Sequence, residues 1–253
     1  MKEVRYFYAP DIASSNELPT EEAAHCLRVL RLQPGDEIHL TDGCGGFYRA
    51  EITTATNKRC LFDVIEEQHP GKAWHGHLHL AVAPTKNNDR IEWLAEKATE
   101  IGFDELTFLN CRYSERKQMK AERIDKILVS AMKQSHKFEK PQLNEMTDFK
   151  KFVENVQSEQ KFIAHCYDEA DITGESHSDQ PKEMDAGKPF LLDVLSADKD
   201  ALVMIGPEGD FSVDEVRWAL AHGFRSVSLG KSRMRTETAA LAAVHLMSIS
   251  HMK

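Results

Sequence analysis

Two loops near the end of the chain carry the residue types best suited to holding a small ligand. The first, Gly206-Pro-Glu-Gly-Asp-Phe-Ser212, follows the apolar run Ala201-Leu-Val-Met-Ile205, and the second is Leu229-Gly-Lys-Ser-Arg-Met-Arg-Thr-Glu-Thr238. Each loop follows a short apolar run and precedes a helical pattern. Both are therefore expected at the same end of a buried parallel sheet, where ligand crevices form in open α/β domains. Glycines at Gly206, Gly209 and Gly230 permit close backbone approach or a positive φ. Exposed amides and carbonyls can hydrogen-bond an adenine edge without any charged side chain. The first loop lacks the G-K-[S/T] ending of a phosphate loop and the G-x-G-x-x-G spacing of a dinucleotide fingerprint, which makes ATP and NAD poor candidates. Taken singly, each loop also reads as an ordinary turn after a strand.

Composition limits what could surround these loops. A chain of 253 residues suits one large domain or two modest ones, and a 41% hydrophobic share is enough to bury a core. No stretch approaches the length of a membrane span, and Met1-Lys-Glu-Val-Arg-Tyr-Phe-Tyr8 lacks the apolar core of a secretory signal, so a soluble, cytoplasmic protein is expected. Cys26, Cys44, Cys60, Cys111 and Cys166 are scattered and form no C-x-x-C pair, which argues against a disulfide framework or a structural zinc site. The net charge of -9 counts, as a sum, against nucleic-acid binding. Its distribution leaves that question open, because basic residues dominate from Arg112 to Lys140 while Asp168 to Asp185 is mainly acidic. A local basic face stands beside the plainer reading of a solvated helix surface.

The organisation changes near residues 70–75. Before that point, Glu37-Ile-His-Leu40 and Phe47-Tyr-Arg-Ala-Glu-Ile52 alternate around Asp42-Gly-Cys-Gly-Gly46, as a β-hairpin with a glycine-rich turn does. After Pro70-Gly71, strands alternate with helices. Leu78–Ala83 reads as a strand, and Ile91, Leu94, Ala95, Ala98 and Ile101 mark one stripe of a helix ended by Gly102. Leu106–Leu109 is the next strand, and Ile124, Ile127, Leu128 and Ala131 mark a helix whose basic residues face outward. A short helix through Phe149, Phe152, Val153 and Val156 precedes a strand at Phe162–Cys166. Glu169 to Lys188 reads as an irregular surface loop without chemistry. Ser212-Val-Asp-Glu215 is a capping box opening a helix that Gly223 stops. The last segment, Thr236 to Ser250, is apolar around most of its circumference, which calls for cover from several sides such as a second subunit.

Taken together, GPEGDFS with its preceding strand and following capping box, and then LGKSRMRTETAA, resemble the RsmE-like ribosomal RNA uridine-N3 methyltransferases of the SPOUT superfamily. Arg5-Tyr-Phe-Tyr8, His25-Cys-Leu-Arg-Val-Leu-Arg31, the Gly35-Asp36 turn, Glu96-Lys-Ala-Thr-Glu-Ile-Gly102 and Gln134-Ser135 fall in that family's order, so the resemblance runs the length of the chain. The resemblance implies an α/β fold in two parts. Residues 1–70 would form a small PUA-like β-barrel that binds RNA. Residues 74–253 would form a SPOUT methyltransferase domain with a mostly parallel sheet and a trefoil knot, an arrangement that pattern alone never suggests because threaded chains are very rare. It also implies S-adenosylmethionine as cofactor, a homodimer, and methylation at N3 of uridine 1498, in the conventional numbering, of 16S ribosomal RNA in the small subunit. Gly206, Pro207, Glu208, Gly209, Leu229, Gly230 and Met234 would hold the cofactor. Two departures stand out: Asp210 replaces a common loop glycine, and Ser232, Arg233 and Met234 precede Arg235 where the family usually reads L-G-x-R-I-L-R. If backbone atoms read the adenine, Asp210 is tolerated where its φ stays negative, and Ser232 removes one cationic contact.

A sulfonium methyl is already activated, so the protein must mainly fix in-line geometry and exclude water, and no metal is required. Uracil N3 bears a proton and is a weak nucleophile. Transfer therefore needs proton removal or a fixed cation for the developing anion. Arg235 is the candidate for the electrostatic role and Glu208 for proton acceptance; their plainer readings are a solvent-facing helix-start residue and a carboxylate near a helix N-terminus. N3 lies on the Watson–Crick edge, so a paired target base must first be exposed. Arg5, Arg28, Arg31, Arg112, Arg116 and Lys117 are expected to contact RNA phosphates. His75-Gly-His-Leu-His79 places three imidazoles on one strand face, yet no neighbouring carboxylate or cysteine completes a metal set. Tyr6, Phe7 and Tyr8 read as a strand anchor before a base-stacking surface. Two other readings remain: a noncatalytic RNA-binding protein, and a SPOUT methyltransferase acting on another RNA site.

Overall fold

In a computed structural model that describes residues 5–56, 59–174 and 187–252, the alternating segments around Asp42–Gly46 pair as an antiparallel hairpin. Ile38 lies opposite Ala50 and Leu40 opposite Tyr48, and all four are buried, because residues two apart share one face of a sheet. The strands β1 (Tyr6–Tyr8), β2 (Glu37–Thr41), β3 (Phe47–Ala55) and β4 (Cys60–Gln68) lie in that order, β1 parallel to β2 and the others antiparallel. Helix α1 (Thr20–Ala24) runs into a π-helical turn, His25–Val29, which buries Cys26 against Cys60. Phe7 is fully buried with them, so the Tyr6–Tyr8 segment is a strand anchor. Contacts divide the chain into two units. The first runs to Lys72 and takes in Leu128–Lys140 as well, and the second comprises Ala73–Ile127 and the chain from Pro141 onward. Within the first unit, Lys133 pairs with Glu22, and the Lys140 N–H donates to the Gly43 carbonyl.

The second unit alternates strands and helices: β5 (Leu78–Val82), α2 (Asn88–Ile101), β6 (Glu105–Asn110), the first turns of α3 (Ala121–Gln134), β7 (Gln142–Leu143), β8 (Thr147–Asp148), α4 (Phe149–Asn155), β9 (Gln160–Ala164), α5 (Glu169–Thr173), α6 (Leu191–Val194), β10 (Ala201–Ile205), α7 (Val213–Ala221), β11 (Arg225–Val227) and α8 (Thr236–His251). Its sheet is parallel, in the order β11-β9-β10-β5-β6-β7, with β8 also pairing β6. Central strands β5 and β10 are buried along their whole length, which is why β10 reads as an unbroken apolar run and β5 as one interrupted only by the buried His79. Helix α2 buries Ile91, Leu94, Ala95 and Ala98, and the Asn87 side chain caps its start by accepting from the Asp89 N–H at 2.9 Å. Among the described residues, no helix is long and apolar enough to cross a membrane.

Two expectations are corrected here. Glu169 to Lys188 is not irregular throughout: α5 lies inside it, opened by a reciprocal capping box between Asp168 and Asp171, while residues 175–186 lie outside the described residues. Helix α8 finds most of its cover within its own unit, burying Ala240, Ala243, Val244 and Met247 as it packs on α2, α6, β5 and β10. Only Leu241, Ala242, Leu246 and Ile249 remain half-buried among its apolar residues from Leu241 on.

Candidate functional site

The C-terminal ends of β11, β9 and β10 lie side by side, and the loops leaving them enclose a crevice of about 610 Å³. Gly206, Pro207, Glu208 and Gly209 reach it from β10, and Leu229, Gly230, Met234 and Arg235 from β11, so both signature loops share one cavity at one end of the sheet. Two of the glycines are required by the backbone. A Cβ on Gly206 would stand 2.9 Å from the Phe211 backbone nitrogen, and Gly230 adopts φ +120°. The two glycine-bearing turns thus bring main-chain groups to a wall that also carries the longer side chains of Arg90, Met234 and Arg235, and exposed amides and carbonyls of this kind fit the edge of a purine.

Asp210 overturns the expectation of a negative φ. Its φ is +67°, in the left-handed region that most side chains avoid. The carboxylate makes this conformation tenable by accepting from the Phe211 N–H at 2.7 Å and, across the crevice, from the Cys166 N–H at 2.8 Å. Asp210 thus ties the end of β9 to the loop after β10. Ala164, His165 and Cys166 line the crevice and were not foreseen, because they become neighbours of the two loops only once β9 is inserted between β11 and β10. His165 accepts from or donates to Ser226 Oγ at 2.8 Å, and burial, reinforced by the Lys188 cation, pushes its pKa down to about 3, so the ring is neutral near pH 7.

Arg90 was also missed. From the first turn of α2 it reaches Glu208 at 3.3 Å and Glu237 at 3.6 Å, joining the two loops with a single guanidinium. The second Glu208 oxygen accepts from the Lys86 N–H at 3.4 Å, so both of its oxygens are engaged in holding the loop. Glu237, in the first turn of α8, is buried, and its Oε2 has no hydrogen-bond partner among the described residues. Arg235 occupies the N-cap position of α8, makes no side-chain cap there, and is exposed on the crevice wall.

The cations expected to meet RNA are spread over both units. Arg5, Arg28 and Arg31 are exposed in the first, Arg31 with φ +57°. In the second, Arg112 pairs with Asp214 at 3.2 Å, and Lys117 donates to Asn110 Oδ1 at 3.1 Å. Arg116 is a strut, its Nε and Nη2 donating to the Thr85 and Lys86 carbonyls. The histidine strand does have a neighbouring carboxylate, contrary to expectation: β6 brings Glu105 to 2.8 Å from His77 and 3.4 Å from His79. His79 is buried, and desolvation lowers its pKa to about 4.

A family model described as RNA methyltransferase domain matches residues 72–248, and one described as RNA methyltransferase PUA domain matches residues 18–65. The chain belongs to this RNA methyltransferase family. Ribosomal RNA small subunit methyltransferase E of Bacillus subtilis is 25% identical over 255 residues, covering 96% of this chain and 95% of the relative. The protein of the same name from Synechocystis sp. is 28% identical over 251 residues, covering 95% and 75%. Among solved structures, a probable rRNA-methyltransferase from Porphyromonas gingivalis has a TM-score of 0.87 at 41% identity, over 98% of both chains. Ribosomal RNA small subunit methyltransferase E from Neisseria gonorrhoeae, solved bound to S-adenosyl methionine, has a TM-score of 0.80 at 26% identity, again over 98% of both. The PUA model falls within the first unit, which is accordingly PUA-like, and most of the RNA methyltransferase match falls in the second.

Proposed function

We propose that this chain methylates N3 of uridine 1498 in 16S ribosomal RNA, with S-adenosylmethionine as the methyl donor. The observation that carries the reading is the convergence of both glycine-bearing loops on one crevice with Arg235 on its wall. Gly206–Gly209, Leu229, Gly230 and Met234 would hold the cofactor, chiefly through main-chain groups. When bound, S-adenosylmethionine supplies an electrophilic methyl group. Arg235 presents a permanent cation to the uracil carbonyl oxygens, where negative charge grows as N3 loses its proton and attacks. Glu208, engaged by Arg90 and Lys86, holds the loop and is the weaker candidate for taking that proton. Arg5, Arg28 and Arg31 in the PUA-like unit, and Arg112 and Lys117 in the other, bind RNA phosphates, with Arg116 bracing the loop after β5. The reading further includes a cytoplasmic homodimer joined through the half-buried face of α8, and a knotted passage of the chain from edge strand β11 to α8.

Mass spectrometry of 16S ribosomal RNA from a strain lacking the gene tests the reading directly. N3-methyluridine at position 1498 should be absent and should return with the wild-type chain. The Arg235→Ala variant should restore none of it detectably: loss of one fixed donor to a developing oxyanion slows reactions about 10²- to 10³-fold. Its cofactor affinity should stay within about twofold by calorimetry. Full modification in the deletion strain would overturn the assignment of substrate, and near-normal turnover by Arg235→Ala the assignment of Arg235.

A further inference from the structure

A second cavity, of about 420 Å³, opens on the same unit and is lined by Arg112, Lys117 and Lys150 together with Asp148, Asp214 and Glu215. Two of its carboxylates are committed to the backbone. Asp148 accepts from the Lys150 and Lys151 N–H groups at the start of α4, and Glu215 accepts from Ser212 and from the Arg112 N–H. Asp214 pairs with Arg112, but both side chains are largely exposed, and an exposed ion pair of this kind is easily exchanged for another anion. The cavity therefore offers cations to an incoming ligand while most of its acids face inward to their helices.

Between this cavity and the cofactor crevice stands Tyr113. It follows directly on Arg112, a wall residue of the second cavity, and a Cβ on Gly209, a wall residue of the crevice, would lie 3.4 Å from the Tyr113 Cβ. Tyr113 is 48% exposed, so its ring is open to an incoming group. The Arg112 guanidinium lies 5.8 Å from its ring centroid. The turn that carries it is fixed at both sides: the Cys111 N–H donates to Ser114 Oγ at 3.0 Å, the Ser114 N–H to the Cys111 carbonyl at 3.1 Å, and the Arg112 N–H to Glu215 Oε1 at 2.8 Å. An exposed aromatic face on a rigid turn, with cations on one side and a reaction crevice on the other, has the parts of a single-stranded nucleic-acid platform.

We propose that Tyr113 stacks on a nucleobase flanking the one methylated, and that the second cavity takes a phosphate of the same strand through Arg112, Lys117 and Lys150. The assignment rests on the reading of the chain as an RNA methyltransferase of the small ribosomal subunit. It adds a place for the neighbouring nucleotide, which keeps the target base extended over the crevice instead of stacked in its own strand.

The test uses the full chain, saturating S-adenosylmethionine, and small ribosomal subunits purified from a strain lacking the gene, with KM and kcat determined separately. Loss of a stacking platform costs about 5- to 150-fold in binding, so Tyr113→Ala should raise KM for the subunits at least about fivefold, with its cofactor affinity by calorimetry unchanged. Tyr113→Phe should remain within about twofold of wild type, since stacking needs the ring and not the hydroxyl. Lys117→Ala and Lys150→Ala should each lower the slope of log KM against log salt by about one. Wild-type KM in Tyr113→Ala, or an equal loss in Tyr113→Phe, would overturn the platform while leaving the methyltransferase reading intact. A wild-type chain that binds the cofactor yet transfers no methyl group to these subunits would end that reading, and the platform with it.

Discussion

Replacing Asp210 by glycine sets two physical effects against each other, and their sizes decide the outcome. A left-handed backbone costs an L-residue roughly 1–2 kcal/mol, toward the low end for Asp, and glycine removes that strain. Glycine also has more freedom to lose on folding, roughly 0.5–1 kcal/mol, so the net relief is at most about 1 kcal/mol. Against it stand two charge-assisted hydrogen bonds, to Phe211 N–H at 2.7 Å and Cys166 N–H at 2.8 Å. Each would be worth about 1.5–3 kcal/mol when buried. Asp210 is only half-buried and water replaces part of that, so about 1–1.5 kcal/mol each is the fairer figure. Asp210→Gly should therefore destabilise the second unit by about 1–3 kcal/mol, and Asp210→Asn, which keeps an acceptor and tolerates the left-handed region, by less. The 3 tryptophans, Trp74, Trp93 and Trp218, all lie in that unit, so urea unfolding followed by tryptophan fluorescence isolates it. Because the lost bond to Cys166 also releases one wall of the crevice, cofactor affinity should fall in parallel. A glycine variant at least as stable as wild type would refute the reasoning, because strain would then outweigh the carboxylate's bonds.

Two further outcomes can be measured on the same unit. His79 is held neutral in the folded state, with its pKa lowered from 6.5 to about 4, so the unfolded chain binds the extra proton first as pH falls. Stability should decline through the window from pH 6.5 to 4 by about 3 kcal/mol from this ring, and His165 acts in the same direction. Urea midpoints in His79→Asn that change with pH as steeply as wild type would remove His79 as the cause. Arg90→Ala leaves the buried Glu237 carboxylate without its cation and unties Glu208. With Arg90 about one-third exposed and the closest approach to Glu237 at 3.6 Å, about 1–2 kcal/mol is expected, below the 3–5 kcal/mol of a fully buried pair. Adding Glu237→Gln should recover part of it in a double-mutant cycle, and additive losses would show that the two residues act independently.

What was legible in the chain depended on how local its cause is. The apolar run at Ala201–Ile205 and the mostly apolar segment Leu78–Val82, broken only by His79, announce strands covered on both faces, and Ser212 with Glu215 announces a helix start because both partners of the cap lie within three residues. The hairpin around Asp42–Gly46 and the two crevice loops were readable for the same reason. Asp210 was not, since a left-handed aspartate is tenable only when its carboxylate finds donors, and one of these, Cys166 N–H, arrives from the turn just after β9, 44 residues earlier. The place of Ala164–Cys166 in the crevice depends likewise on β9 lying between β10 and β11, and the inclusion of Leu128–Lys140 in the first unit on pairings such as Lys133 with Glu22. Glu105 between His77 and His79 is a register effect, set by the parallel pairing of β5 with β6 and invisible along either strand alone. The residues that hold the crevice together, Arg90, Asp210 and Glu237, all act across elements, whereas those that shape its wall act within single loops. A loop motif can therefore identify what the crevice takes while remaining silent on what keeps it closed. Substitutions at Arg90 and Asp210 should accordingly change stability and cofactor affinity together, whereas Arg235→Ala should change the rate of transfer alone.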